Sequence, residues 1–364
     1  MPFSEVIGQE RALASLRASL RRGALHHAYL FGGPEGTGKG LAARCLAQAA
    51  NCEAPAADGG ARDDGCGACH PCRKIAKGIH PDVLVLSEER VMAKAGTWEP
   101  RGGRTPSKDI VVDQIRDVVD RRLALRRFEG RRRFVIVDPA DAMNPQAQNA
   151  LLKTLEEPPP ETTLVLVAAS PDGLLPTIRS RCLRLGFAPV APGAIAAALE
   201  GEGTAADVAQ LAAELSGGAL DRARELARKE TAARAKGAAD PEARAGPLRA
   251  RRDLLARATA LDPRDAGAWL AYAAAAAKDR ETLAELCEGW LAWLRDVLAV
   301  QAGEARLALG VLEPETRRAA AALSPGEVAR RRLEVLRTLQ SLKQNAAPVL
   351  ALERMLVGWF HGGR

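Results

Sequence analysis

Aromatic side chains make up only 4% of this 364-residue chain, and there are five histidines and four methionines. A core so short of rings has to be built from aliphatic side chains, and the abundance of alanine and leucine favours helix. Long hydrophobic runs are also lacking. No stretch approaches the roughly 20 apolar residues that a bilayer-spanning helix needs. The opening Met1-Pro2-Phe3-Ser4-Glu5 has no basic region followed by an apolar one, so no signal peptide and no membrane association are expected, and a cytoplasmic location is. Charge bias is small: 52 Lys and Arg against 45 Asp and Glu leave +7, which is compatible with a nucleic-acid neighbour and equally with arginine-favouring codons. What is present, 47% hydrophobic and 27% charged residues, excludes a disordered or fibrous chain. The length predicts two or three domains. The seven cysteines are an odd number in a compartment where disulfides are rare.

The first half alternates strand-like and helix-like segments. Ala28–Phe31, Val83–Leu86, Phe134–Val137 and Leu164–Ala169 are short continuous apolar runs, and Leu41–Ala50 and Asp109–Leu125 have helical periodicity. Buried runs separated by helices predict an α/β fold with a parallel sheet covered on both faces. The Gly-, Pro- and charge-rich stretch 91–106 reads as a loop. After Phe187 the strand signals stop, and Ala188-Pro189-Val190-Ala191-Pro192 reads as a linker. Three short helices are predicted near 192–200, 204–216 and 219–228. The stretch 229–250 is either a charged, broken helix or a linker. Helical periodicity then continues to the end, most clearly over 283–300, 328–342 and 347–360.

Gly33-Pro34-Glu35-Gly36-Thr37-Gly38-Lys39-Gly40 lies between a strand and a helix and matches G-x-x-x-x-G-K. In such a loop backbone N–H groups cradle phosphates and the lysine reaches the terminal ones. The next position should carry a hydroxyl for Mg²⁺, and here it is Gly40. The second acidic strand, Phe134-Val135-Ile136-Val137-Asp138, ends in a carboxylate suited to Mg²⁺. The following residue, which should polarise water, is Pro139. Asp141 is the remaining candidate for that task. Losing a water-activating group commonly costs a factor of about 10²–10⁴ in rate. Own ATPase activity is therefore expected to be absent or weak, while ATP and Mg²⁺ binding stays open.

Cys66-x-x-Cys69-x-x-Cys72, with Cys52 upstream, places four thiols within 21 residues. This spacing predicts a structural zinc site, with an iron–sulfur cluster as the alternative. His70 and His80 are expected to stay outside it, and Cys45, Cys182 and Cys287 read as small buried residues. Past the last strand, Ser170 sits where a γ-phosphate sensor would, and Arg179-Ser180-Arg181-Cys182 offers an arginine that could supply charge in trans. The arginines at 121, 122, 126, 127, 131, 132 and 133 read as a solvated face or a nucleic-acid-facing surface.

Val6-Ile7-Gly8-Gln9-Glu10, His27-Ala28-Tyr29-Leu30-Phe31, the loop ending Gly38-Lys39, the four cysteines, Asn149-Ala150-Leu151-Leu152-Lys153-Thr154-Leu155-Glu156-Glu157-Pro158-Pro159 and Ser180-Arg181-Cys182 occur in that order. The set resembles the clamp-loader ATPase-fold proteins of the bacterial DNA polymerase III holoenzyme. The resemblance implies a domain of the AAA+ type over 1–187 with a zinc module at about 52–72, a helical lid over 188–240 and an oligomerising helical collar over 241–364. It implies Cys52, Cys66, Cys69 and Cys72 as Zn²⁺ ligands and Arg181 as a trans arginine finger. It places Gly33, Gly36, Thr37, Gly38, Lys39, Gly40, Asp138 and Ser170 at what remains of a nucleotide site, with Val6 and Ile7 near a base. It also implies gamma/tau and delta subunits as partners, with the sliding clamp and primer-template DNA reached through the complex. Within this family Gly40 and Pro139 fit the delta-prime type, whose ATPase motifs are degraded, and the alternative is a hydrolysing gamma/tau-type motor. Trp290 and Trp293 are candidate interface anchors or plain core residues. A lone zinc-bearing nucleic-acid binder is a third reading.

Overall fold

The computed structural model describes residues 2–54, 63–236, 246–262, 264–304 and 307–361. Its contacts group the chain into two units, Met1–Val190 and Ala191–Arg364.

The first unit runs α1 (Glu10–Arg21), β1 (Ala28–Gly32), α2 (Lys39–Asn51), α3 (His70–Ala76), β2 (Val83–Leu86), α4 (Glu89–Lys94), α5 (Val112–Gln114), a π-helical turn (Ile115–Asp120), α6 (Arg121–Ala124), β3 (Arg133–Val137), α7 (Pro145–Glu156), β4 (Thr162–Ala168), α8 (Pro176–Arg181) and β5 (Leu183–Gly186). The sheet order is β2-β3-β4-β1-β5 and every neighbouring pair is parallel. β3 and β4 are buried at every position, which is why they read as unbroken apolar runs. Side chains alternate between two cores. Tyr29, Phe31, Phe134, Ile136 and Val165 face one with α1 and α2, and Leu30, Val135, Val137, Leu164 and Leu166 face the other with α7. The α/β parallel-sheet expectation holds.

Two elements of this unit depart from the sequence reading. β5 is an edge strand with mostly exposed side chains, Arg184 among them. With Arg184 and Gly186 among its four residues it carries no continuous apolar run. The stretch read as a loop over 91–106 is entered by α4, and it is organised by the buried Glu89. That carboxylate accepts from both terminal nitrogens of Arg104 at 2.6 Å, from Trp98 Nε1 at 3.1 Å and from the Ser107 N–H at 2.8 Å. Burial works to raise the Glu89 pKa, but these donors outweigh it and hold it below the ordinary value.

The second unit is helical among its described residues: α9 (Pro192–Gly201), α10 (Ala206–Leu215), α11 (Leu220–Lys236), α12 (Pro247–Thr259), α13 (Ala266–Ala276), α14 (Arg280–Gln301), α15 (Glu313–Ala322), α16 (Pro325–Lys343) and α17 (Pro348–His361). Side chains cap the starts of α13, α14 and α16. Asp279 accepts from the Thr282 N–H, and Ser324 and Glu327 form a capping box around Pro325. α11 continues eight residues beyond the 228 expected from sequence, and helix resumes at Pro247. The part of the 229–250 question that concerns 237–245 lies outside the described residues. Trp290 and Trp293 are 0% and 1% exposed. Both are core residues, Trp290 beside Tyr272 and Trp359, which favours the core alternative over the interface-anchor one.

Candidate functional site

β1 ends at Gly32, and the chain turns through Gly33 before α2 begins after Gly38, which has φ +86°. A Cβ at Gly33 would collide with the Phe187 carbonyl, so the close approach of loop and chain at the end of β5 requires glycine there. Gln9 fastens the same corner. Its Nε2 donates to the Thr37 and Ala188 carbonyls at 3.2 and 2.7 Å, and its Oε1 accepts from the Ala188 N–H at 3.1 Å. Val6 is buried against Gly38, and Ile7 is half-buried beside it.

Lys39 is 5% exposed, and its ammonium donates to the Gly33 carbonyl at 2.6 Å and to the Pro34 carbonyl. Thr37 Oγ1 also donates to the Pro34 carbonyl, at 2.8 Å. Burial lowers the Lys39 pKa against the pull of Asp138, Glu35 and Asp141. Burial raises that of Asp138 against Arg44 and Lys39. A Cβ built at Gly40 would run into Asp138 Oδ2, so the carboxylate lies where a Ser or Thr side chain would start. One oxygen of Asp141 is committed elsewhere, while its Oδ1 is buried without a hydrogen-bond partner among the described residues. Its Oδ2 accepts from the Ala169 and Ser170 N–H groups at 3.1 and 2.8 Å, tying the end of β4 to the turn after β3. The Ser170 side chain is exposed. Asp138, Glu35 and Asp141 all act on Lys39, so carboxylates are present here, but residue 40 offers no hydroxyl and Pro139 no side-chain donor.

The four thiols fit a metal better. Cys52 follows α2, Cys69 and Cys72 lie at the start of α3, and Cys66 precedes them. All four Sγ atoms lie within 4.8 Å of one another, with Cys69–Cys52 at 3.9 Å and Cys66–Cys72 at 4.0 Å. A tetrahedral ion with Zn–S bonds of about 2.3 Å sets sulfurs roughly 3.8 Å apart. The Cys66 sulfur also accepts from the Cys69 and Ala68 N–H groups at 3.2 and 3.4 Å. Burial opposes ionisation of Cys66, and these amides reverse it, bringing the thiol down to about 6. His80 is held elsewhere: its Nδ1 accepts from the Asp82 N–H at 3.2 Å.

Arg181 ends α8. Its Nη2 lies 2.7 Å from Glu156 Oε1, and its Nη1 donates to the Thr177 carbonyl at 3.0 Å. An open cleft of about 620 Å³ in front of it is lined by Glu156, His26, His27 and Ser180 among others. The arginines of 121–133 are not one solvated face. Arg133 is buried, donating to the Leu123 and Leu125 carbonyls at 3.0 and 2.9 Å, and Arg132 bonds Thr163 and Glu161. Arg121, Arg122, Arg126, Arg127 and Arg131 are exposed.

Sequence reasoning gave no role to Gln9, Arg44 or Glu156. Gln9 and Glu156 were inside recognisable strings, but only the fold brings them to their partners.

A strand–glycine loop–helix corner on a parallel sheet, followed by a four-thiol cluster able to hold a metal ion, defines an α/β protein with a phosphate-loop-like corner. The family model for the DNA polymerase III delta subunit matches residues 8–191. Subunit delta-prime of Pseudomonas aeruginosa is 42% identical over 158 residues, covering 43% of this chain and 42% of that protein. Subunit delta-prime of Bacillus subtilis is 33% identical over 222 residues, 61% of this chain and 60% of that one. Subunit tau of Escherichia coli is 35% identical over 182 residues, 50% of this chain and 25% of that one. The chain thus spans less than two thirds of the length of these relatives. It belongs to the DNA polymerase III delta-subunit family, among the bacterial clamp-loader delta-prime chains.

Proposed function

We propose that this chain serves as the delta-prime subunit of the DNA polymerase III clamp loader and helps place the sliding clamp on primed DNA. It would act as a stator that assembles with gamma/tau and delta subunits and hydrolyses little or no ATP itself. The observation that carries this reading is the corner of Gly40, Asp138 and Pro139, where the hydroxyl at residue 40 and an acidic group at residue 139 are missing from an otherwise formed phosphate loop. Arg181 supplies its guanidinium to the nucleotide of an adjacent motor subunit. Cys52, Cys66, Cys69 and Cys72 hold a structural Zn²⁺. Residues 188–240 form the lid and 241–364 the collar. The phosphate-loop lysine and the likeness to a tau subunit favour the second reading, a hydrolysing motor.

ATP turnover by the isolated chain separates the two. The stator reading expects a rate at least about 10²-fold below that of a gamma/tau subunit, since the water-activating group is absent, and robust Mg²⁺-dependent hydrolysis overturns it. In a complex reconstituted with gamma/tau, delta, clamp and primed DNA, Arg181→Ala is expected to leave assembly intact and to cut stimulated turnover about 10³-fold at the affected site.

A further inference from the structure

The cleft in front of Arg181 contains a carboxylate that the proposed role of that arginine does not use. Glu156 is the last residue of α7 and Arg181 the last of α8. One terminal nitrogen of Arg181 is paired with Glu156 at 2.7 Å, and the other donates to the Thr177 carbonyl. Both are turned onto the protein's own chain, although the side chain is 36% exposed and the cleft before it is open. The two helix ends treat these charges differently. Carbonyls at a helix C-terminus favour a cation and disfavour an anion. Arg181 therefore suits its position on α8, whereas Glu156 is placed against the dipole of α7 and is compensated by the guanidinium. The Glu156 side chain is 49% exposed, and half-exposed pairs contribute little. A phosphate group carries more charge and offers a better match to the guanidinium fork, so it exchanges for the carboxylate readily.

We propose that Glu156 is a placeholder, holding the guanidinium of Arg181 at the mouth of this cleft until the polyphosphate of a nucleoside triphosphate on a neighbouring subunit displaces it. This rests on the trans-acting reading of Arg181 and adds to it a competing partner on the same chain. Glu156 is a positioning residue. It keeps the arginine ordered at the surface and weakly restrains its use before a phosphate arrives.

The test uses complexes reconstituted with the full chain carrying Glu156→Gln, Glu156→Ala, Arg181→Ala or the Glu156→Gln/Arg181→Ala pair. The readout is clamp- and DNA-stimulated ATP turnover over a range of ATP concentrations, with assembly checked by size-exclusion chromatography. Releasing a half-exposed pair is expected to raise kcat/KM by about 1.5- to 5-fold in both Glu156 variants, and the gain is expected to vanish when Arg181 is absent. A merely structural carboxylate would not show that dependence on Arg181. An unchanged or lowered kcat/KM, or a gain that persists without Arg181, overturns the placeholder while leaving the finger reading standing. Full turnover in Arg181→Ala overturns the finger reading and the placeholder with it.

Discussion

A buried and a half-buried carboxylate of the first unit respond to desolvation with opposite outcomes. Asp82 is 2% exposed and accepts from the Phe128, Glu129 and Gly130 N–H groups at 2.7–3.1 Å. Burial pushes its pKa up, the amides and Arg133 pull it down, and the net direction is down. Its charge therefore stabilises the fold above the ordinary carboxylate range, and that stability is lost as pH falls through the folded-state pKa. Asp82→Asn keeps one acceptor for three donors and is expected to cost about 3 kcal/mol at neutral pH in urea melts. Asp138 has no such amide donors among the described residues, and burial raises its pKa. The sign is reversed: the folded state binds the proton more tightly, so ionisation costs stability above the folded-state pKa and nothing below the unfolded one. Asp138→Asn is expected to raise the urea midpoint at pH 8, with the gain shrinking as pH approaches about 4. Neither sign was legible in the sequence, where both residues are simply acids flanking apolar strands. Only the fold brings the amides of 128–130 to one of them and the bare Cα of Gly40 to the other.

Among the elements, the segment 52–72 was legible because thiol spacing is a local signal. The expected metal content is one zinc per chain by elemental analysis. Cys69→Ser is expected to lose it and to lower the melting temperature by several degrees, since a closed site couples binding to folding. Full metal retention in Cys69→Ser would remove that residue from the ligand set. In the stretch 91–106 the loop reading missed the helical start at 91–94 and, for the opposite reason, the order of the rest. Its Gly and Pro content is that of a loop, while its order comes from Glu89, distant in sequence from Arg104 and Ser107. Glu89→Ala leaves Arg104 unpaired and is expected to speed proteolysis within 95–108. Unaltered cleavage would mean that the loop is ordered by other contacts. β5 escaped notice because an exposed edge strand has no hydrophobic run to reveal it.

For the whole molecule, the exposed leucines of the helical unit carry a test of the collar proposal. Leu333 and Leu336 on α16, and Leu350 and Val357 on α17, are 44–66% exposed. Leu336→Glu is expected to weaken association with partner subunits while leaving the chain's own melting temperature within a degree or two. A large drop in melting temperature with assembly intact would assign Leu336 to internal packing.

Four of the five strands, the phosphate loop, the missing hydroxyl at Gly40 and the thiol spacing were set by the sequence alone. Each depends on residue type and spacing within a few turns of chain, where backbone geometry is nearly invariant. Which carboxylate is satisfied, which tryptophan is core, and that Glu156 at the end of one helix meets Arg181 at the end of another were decided only by tertiary structure. Those outcomes depend on groups far apart along the chain, and their energies exist only once packing removes water from between them.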